Sequence, residues 1–113
     1  MNLKENVRTE RLLALLSLGI AHALKNGAIS SDEAERLLFS PGTIGRCSKI
    51  GAPSELIDLI HVGTELDAIK RLISLRKWEE SLEIVQTNAL AVLRQTDESC
   101  SQLEPWIAKL IAD

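Results

Sequence analysis

An all-α fold, an irregular orthogonal bundle of five to seven helices in a single domain spanning 1–113, follows from three features of the sequence. Its apolar residues are dominated by Leu, Ile and Ala, with one Phe, two Trp and no Tyr. That bias suits helices, because strands favour aromatic and β-branched side chains. No apolar–polar alternation persists beyond a few positions, and helix-entry signals recur at short intervals. At 113 residues the chain is long enough to bury one substantial core and too short for two comfortable ones.

The first element is the apolar run Leu12–Leu24, LLALLSLGIAHAL, which follows Lys4, Arg8 and Arg11. A membrane span needs roughly 20 consecutive apolar residues, and Ser17, Gly19 and His22 break the run before Lys25 and Asn26 end it. A secretory signal peptide has more to recommend it, since the basic start, the apolar stretch Leu12 to Ala21 and the small-x-small triplet Ala21-His22-Ala23 all fit. Glu5 and Glu10 weaken that basic start. Helical periodicity favours a buried first helix instead. At about 100° per residue, Leu12, Leu13, Leu16, Ile20, Ala23 and Leu24 gather on one side and Arg8, Arg11, His22, Lys25 and Asn26 on the other. Lys25-Asn26-Gly27 is a helix stop, with cations at the negative end of the dipole and Gly able to take the left-handed position beyond it. Leu15 and Leu18 fall in the polar sector, so either another element covers them or a partner does.

Ser30 with Glu33 three residues on has the form of a capping box, opening a second helix from about Ser31 to Phe39 whose Ala34, Leu37 and Leu38 pack toward the first. Ser40-Pro41 starts a third segment, Gly42 to Ile50, weakened by Gly42 and Gly45 and ending at Gly51. Pro53-Ser54-Glu55 opens a fourth with an apolar stripe to Val62, and Gly63 closes it. Thr64 and Asp67 signal a fifth helix presenting Leu66, Ile69, Leu72 and Ile73. A long helix reads from about Leu75 to Gln95, with Leu75, Trp78, Leu82, Val85, Ala89, Val92 and Leu93 on one face. Glu104 to Ile111 makes a short amphipathic terminal helix.

The strings ALLSLG-IAHALKNG-AISSDEAERLLFSP and ELIDLIHVGTEL resemble the text of a family of short, functionally uncharacterised bacterial proteins. The likeness covers most of residues 10–72. It implies a small bacterial helical domain; relatives of that kind have a regular helix where this chain departs into GTIGRCSKIG, which counts against a regular third helix here, and the likeness implies no activity and carries over no functional residue.

Charge and motifs narrow the function classes. Net charge is −3, but residues 1–29 hold four basic and two acidic groups (+2), whereas 30–73 hold five and seven (−2) and 74–113 four and seven (−3). An acidic body repels phosphate backbones, so nucleic acid is not favoured as a partner. Cys47 and Cys100 stand far apart with no Cys-x-x-Cys pair, and two reduced thiols of a cytoplasmic protein are expected. His22 and His61 lack a second ligand at helical spacing, and a zinc site needs three or four. His22 shares the polar face with Arg11 and Leu15, and His61 is expected at a helix end. Glu79, Glu80 and Glu83 follow Arg76 and Lys77 on an exposed face, where ion pairing is the default rather than acid–base chemistry. Ser40-Pro-Gly-Thr-Ile-Gly-Arg lacks phosphate-loop spacing. No catalytic, cofactor-binding or metal residues emerge, and no cofactor, membrane or small-molecule ligand is indicated.

The expectation is therefore a non-enzymatic helical protein acting by protein–protein contact or self-association, with a homodimer the simplest form. Candidate interface residues are Arg11, Leu15, Leu18, His22, Trp78 and Trp106. Size and acidity also suit an inhibitor or immunity-like protein, by analogy only. The alternatives are a helix-turn-helix DNA-binding regulator, reading through Pro41 to Ile50 with Arg46 and Lys49 or through Ser54 to Val62 with Glu55 and Asp58, and a small enzyme.

Overall fold

A computed structural model describes the backbone of residues 3–96 and the side chains of residues 6–96. These form five helices and no strand: α1 (Leu3–Lys25), α2 (Ser31–Leu37), α3 (Pro41–Lys49), α4 (Ser54–Leu72) and α5 (Leu75–Gln95). The predicted terminal helix at Glu104 to Ile111, with Trp106, lies outside the described residues, as does Cys100. No described helix is long and apolar enough to cross a membrane.

Local chemistry sets most boundaries. Ser30, Ser40 and Ser74 cap α2, α3 and α5, each accepting a backbone N–H three residues on, from Glu33, Thr43 and Lys77. These bonds satisfy donors that a helix start otherwise leaves open. α1 and α3 end on glycines in the left-handed region, Gly27 at φ 68° and Gly51 at φ 69°. Beyond each, an amide reaches back five residues, Ala28 to the Ala23 carbonyl and Ala52 to that of Cys47. A side chain at either glycine would strain that αL turn. The serine cap and the Gly51 stop are enough to make α3 a regular helix despite Gly42 and Gly45.

Four expectations are corrected. α1 starts at Leu3, nine residues before the apolar run, so the basic start is part of the helix and is tied to the body: the Asn6 amide donates to the Ile50 carbonyl at 3.4 Å. Its buried strip is Glu10, Ala14, Ser17 and Ala21 together with Ile20 and Leu24 of the expected stripe, whereas Leu12, Leu16 and Ala23 of that stripe line an outward groove. Small residues let the backbone of α1 approach its neighbours closely, and the Ser17 hydroxyl is satisfied by the Leu13 carbonyl at 2.8 Å. Leu13 and Leu18 flank that strip and pack against the core, while Leu16 is 44% exposed. Leu37, expected to pack toward α1, is 59% exposed.

The fourth correction concerns Gly63, which closes nothing. α4 runs through it from Ser54 to Leu72, so two predicted helices are one and the predicted count is too high over this stretch. Thr64 caps no new helix; its hydroxyl donates back to the His61 carbonyl at 2.7 Å. His61 is accordingly a mid-helix residue, not one at a helix end. The glycine serves a close approach: a Cβ at position 63 would lie 2.4 Å from Cγ of Phe39. Phe39, 1% exposed in the α2–α3 connection, brings the base of its ring against the bare backbone of α4 at Gly63.

One hydrophobic cluster joins all five helices, with Leu56, Leu59, Ile60 and Leu66 of α4 facing Trp78, Leu82, Val85, Ala89 and Val92 of α5. α4 and α5 are antiparallel and tied at their open end: Gln95 donates to the Glu55 carboxylate at 2.8 Å, and Asn88 to the Glu55 carbonyl at 3.4 Å. The Gln95 amide holds the Glu55 carboxyl below its ordinary pKa. The N-terminal half of α1 meets the same end of α5.

Candidate protein interface

Packing the small-residue strip of α1 inward turns Leu12, Leu15, Leu16, Gly19 and Ala23 toward the opposite side. The hydrophobic side chains of a two-sided helix cannot all be covered by one bundle. With Ile20, Ile29 and Leu37 they line an open groove of about 330 Å³ between α1 and α2. Every lining residue is apolar or glycine. Leu15 is 53% exposed, and Leu37 stands beside it as a ridge. On the far side of that ridge lies a second groove of about 510 Å³, where Leu13, Leu38, Cys47 and Ile50 form the floor and Arg46 and Lys49 line it. Leu37 belongs to both, so the two grooves make one apolar surface with cations toward α3. Exposed contiguous apolar surface of this kind marks an interaction site more often than scattered leucines do.

Cys47 of this floor and Glu10, whose charge acts on it, are two buried groups that the sequence did not single out as a pair. Glu10 is only 7% exposed, and its burial pushes its carboxyl above the usual carboxylate range. Cys47 is a buried free thiol, raised by its own burial and further by the charge on Glu10. The thiolate is the reactive form, so Cys47 is held in its inert state. Because the folded chain binds the Glu10 proton more tightly than the unfolded chain does, this residue contributes least to stability at high pH. Its contribution is greatest below the unfolded carboxylate value and is lost as pH rises through the raised folded value. Glu10→Gln is therefore expected to be more stable than the wild type at pH 7 in urea unfolding, with the difference closing as pH falls below the ordinary carboxylate range.

The other predicted interface residues scatter. Leu15 and His22 are exposed on α1, whereas Leu18 is partly buried against the core. Arg11 is engaged elsewhere: one guanidinium nitrogen donates to the carbonyls of Leu93 and Thr96, both at 3.0 Å, and to the Thr96 hydroxyl at 2.9 Å. It closes the C-terminal end of α5, where carbonyls lack helical partners and a cation suits the dipole. Trp78 is 5% exposed, with the Lys70 ammonium 4.4 Å from its ring centroid. Trp106 lies outside the described residues. Periodicity did not single out Leu37, because its neighbours Ala34 and Leu38 are core residues on the same short helix.

Other chemistry is sparse among the described residues. No three His, Cys, Asp or Glu side chains gather where they could hold a metal. Glu80 pairs with Arg76 and Lys77, both at 3.4 Å on the exposed face of α5, and pairs so exposed contribute little. Arg46 and Lys49 are the cations that α3 exposes, while the following helix presents Glu55 and Asp58.

A family model described as "Protein of unknown function (DUF3969)" matches residues 4–108, and the chain belongs to that family. The chain matches no curated protein and no solved structure.

Proposed function

We propose that this member of the DUF3969 family is a non-enzymatic cytoplasmic protein that works by protein–protein contact, self-association included, through the apolar surface of α1 and α2. The observation that carries the reading is the adjacency of Leu15, Leu16 and Leu37, each about half exposed, around a groove lined only by apolar residues and glycine. An aqueous surface gains nothing from such a grouping, and covering it removes apolar area worth roughly 25 cal/mol per Å². A homodimer is the simplest assembly, and an inhibitor or immunity-like protein would use the same surface on an unlike partner.

Light scattering over a concentration series tests the self-association. The mass is expected to rise above that of one chain for the wild type and to stay at one chain for Leu37→Asp, a substitution at a ridge residue that leaves the core intact. A wild-type mass that stays at one chain throughout removes self-association from the reading.

A further inference from the structure

The corner between α4 and α5 carries the two most exposed large apolar side chains among the described residues, Leu72 at 75% and Ile73 at 66%, with the exposed Leu75 beside them. We propose that this corner docks on the surface of an anionic lipid bilayer, its three apolar side chains entering the interface while Lys70, Arg71, Arg76 and Lys77 bind headgroup phosphates. The chain as a whole has a net charge of −3, but positions 70–77, KRLISLRK, hold four cations and no anion, and all four cations are exposed. Local sign governs such a contact, because exposed charges more than about 8 Å apart are screened at physiological salt. The corner is also not arranged for the stability of its own helices. α5 opens with Arg76 and Lys77 and has no acidic residue in its first turn, the wrong sign for the positive end of a helix dipole. An aqueous corner gains nothing from three grouped aliphatic side chains, and such groupings mark contact with a protein or a membrane.

The order of chemistry along the two helices matches that of a bilayer. Only Ile73 and Ser74 separate α4 from α5, so the apolar residues form the apex of a convex corner. Arg71 and Arg76 adjoin the apex in sequence, with Lys70 and Lys77 next to them, whereas the carboxylates Asp67, Glu79 and Glu80 stand four or five positions back, ~6–7.5 Å along their helices. Hydrocarbon, phosphate and water follow one another in the same order, and the stems of Lys and Arg lie along apolar surface while their charged ends reach the headgroups. The present partners of these cations are easily exchanged: Arg71 with Asp67 at 2.8 Å, and Arg76 and Lys77 with Glu80 at 3.4 Å, are exposed pairs of the kind that contributes little. The apex is preformed, since the amides of Ile73 and Ser74 both donate to the Ile69 carbonyl, at 3.0 and 3.1 Å, and the Lys77 amide donates to the Ser74 hydroxyl at 3.0 Å. Nucleic acid offers phosphates without an apolar layer, and a protein would need a groove matched to a convex apex, which a deformable bilayer does not. The contact is with one surface of the bilayer, because no described helix is long and apolar enough to span it.

Sedimentation of the full-length chain with vesicles tests the docking, using equal parts phosphatidylglycerol and phosphatidylcholine against phosphatidylcholine alone. Partition onto the anionic vesicles is expected to be about tenfold stronger or more, given what each basic residue gains near an anionic surface, and to weaken as salt rises. Leu72→Ser combined with Ile73→Ser is expected to lower it about tenfold or more, and Arg76→Gln combined with Lys77→Gln about tenfold. Both variants should keep the far-UV circular dichroism and urea midpoint of the wild type nearly unchanged, because every altered side chain is exposed. Leu37→Asp, on the α1–α2 ridge, is expected to leave vesicle binding as it is, which keeps this inference separate from the contact reading above. A full-length chain that ignores the anionic vesicles, or binds both compositions equally, overturns the proposal. So does binding that survives both corner variants or that Leu37→Asp abolishes. Corner variants that lower an assembled mass seen by light scattering without vesicles, and leave vesicle binding unmoved, assign the cluster to contact between copies and overturn the bilayer reading.

Discussion

Phe39→Ala is expected to destabilise the fold by about 4 kcal/mol, the range for emptying a fully buried aromatic site, and Gly63→Ala by about 2 kcal/mol although alanine is the better helix former. The second number is a balance. Alanine within a helix gains roughly 1 kcal/mol over glycine, but its methyl group would stand 2.4 Å from Cγ of Phe39 and 2.6 and 2.8 Å from its two Cδ atoms. Ordinary carbon contacts need about 3.5 Å, so the ring has to retreat by about 1 Å into a core where Phe39 is 1% exposed. Overpacking of this kind costs typically 1–3 kcal/mol, occasionally more. Urea unfolding measures both variants. Combining Gly63→Ala with Phe39→Leu separates the causes: the double variant is expected to lose much less than the sum, because a smaller side chain at 39 makes room for the methyl. Strict additivity would show that Gly63 matters for some reason other than the ring.

That same contact explains where sequence and structure part. A glycine between two apolar stripes reads as a stop, since glycine is poor in helices and common after them. Gly27 and Gly51 do stop helices. Gly63 does not, and the difference lies in Phe39, a residue 24 positions earlier whose location no local window contains. Features set within one turn were legible: the serine at Ser30 with its acceptor geometry, the Ser40-Pro41 entry, and α5 from Leu75 to Gln95, whose polar and apolar faces are unambiguous. α1 was not legible in the same way. It carries leucine on nearly every side, so periodicity finds a stripe without deciding which side the neighbours occupy. Packing chose the fully buried strip of Ala14, Ser17 and Ala21, and that choice left Leu16 outside and drew Leu18 in. The candidate surface was thus half visible: Leu15 was set apart by its angle, while Leu16 and Leu37 became members only once the core had selected its face. Arg11 shows the converse, an apparently exposed cation whose partners are the last carbonyls of a helix more than 80 residues away.

Trp78 separates a core role from an interface role most sharply. Aromatic residues concentrate at interfaces, and two tryptophans on late amphipathic helices make a reasonable pair of anchors from sequence alone. The structure buries Trp78 to 5% exposure among core residues of α4 and α5, so its truncation should act on folding. Trp78→Ala is expected to cost about 3–5 kcal/mol, read as a lower urea midpoint with an unchanged dependence on denaturant. The Lys70 contact adds little, about 0.5–1 kcal/mol at an exposed site. Trp78→Phe should lose much less than Trp78→Ala. Its ring keeps most of the apolar contact, and the substitution removes an indole N–H that is buried without an acceptor, a group whose desolvation costs about 1–3 kcal/mol. If Trp78 were an interface anchor instead, Trp78→Ala would leave the unfolding midpoint of the dilute chain in place and change only the concentration at which its mass rises. The two outcomes are read from the same sample, by urea unfolding and light scattering, and Leu37→Asp supplies the contrast: a half-exposed ridge residue whose replacement should leave the midpoint nearly unmoved and act on association.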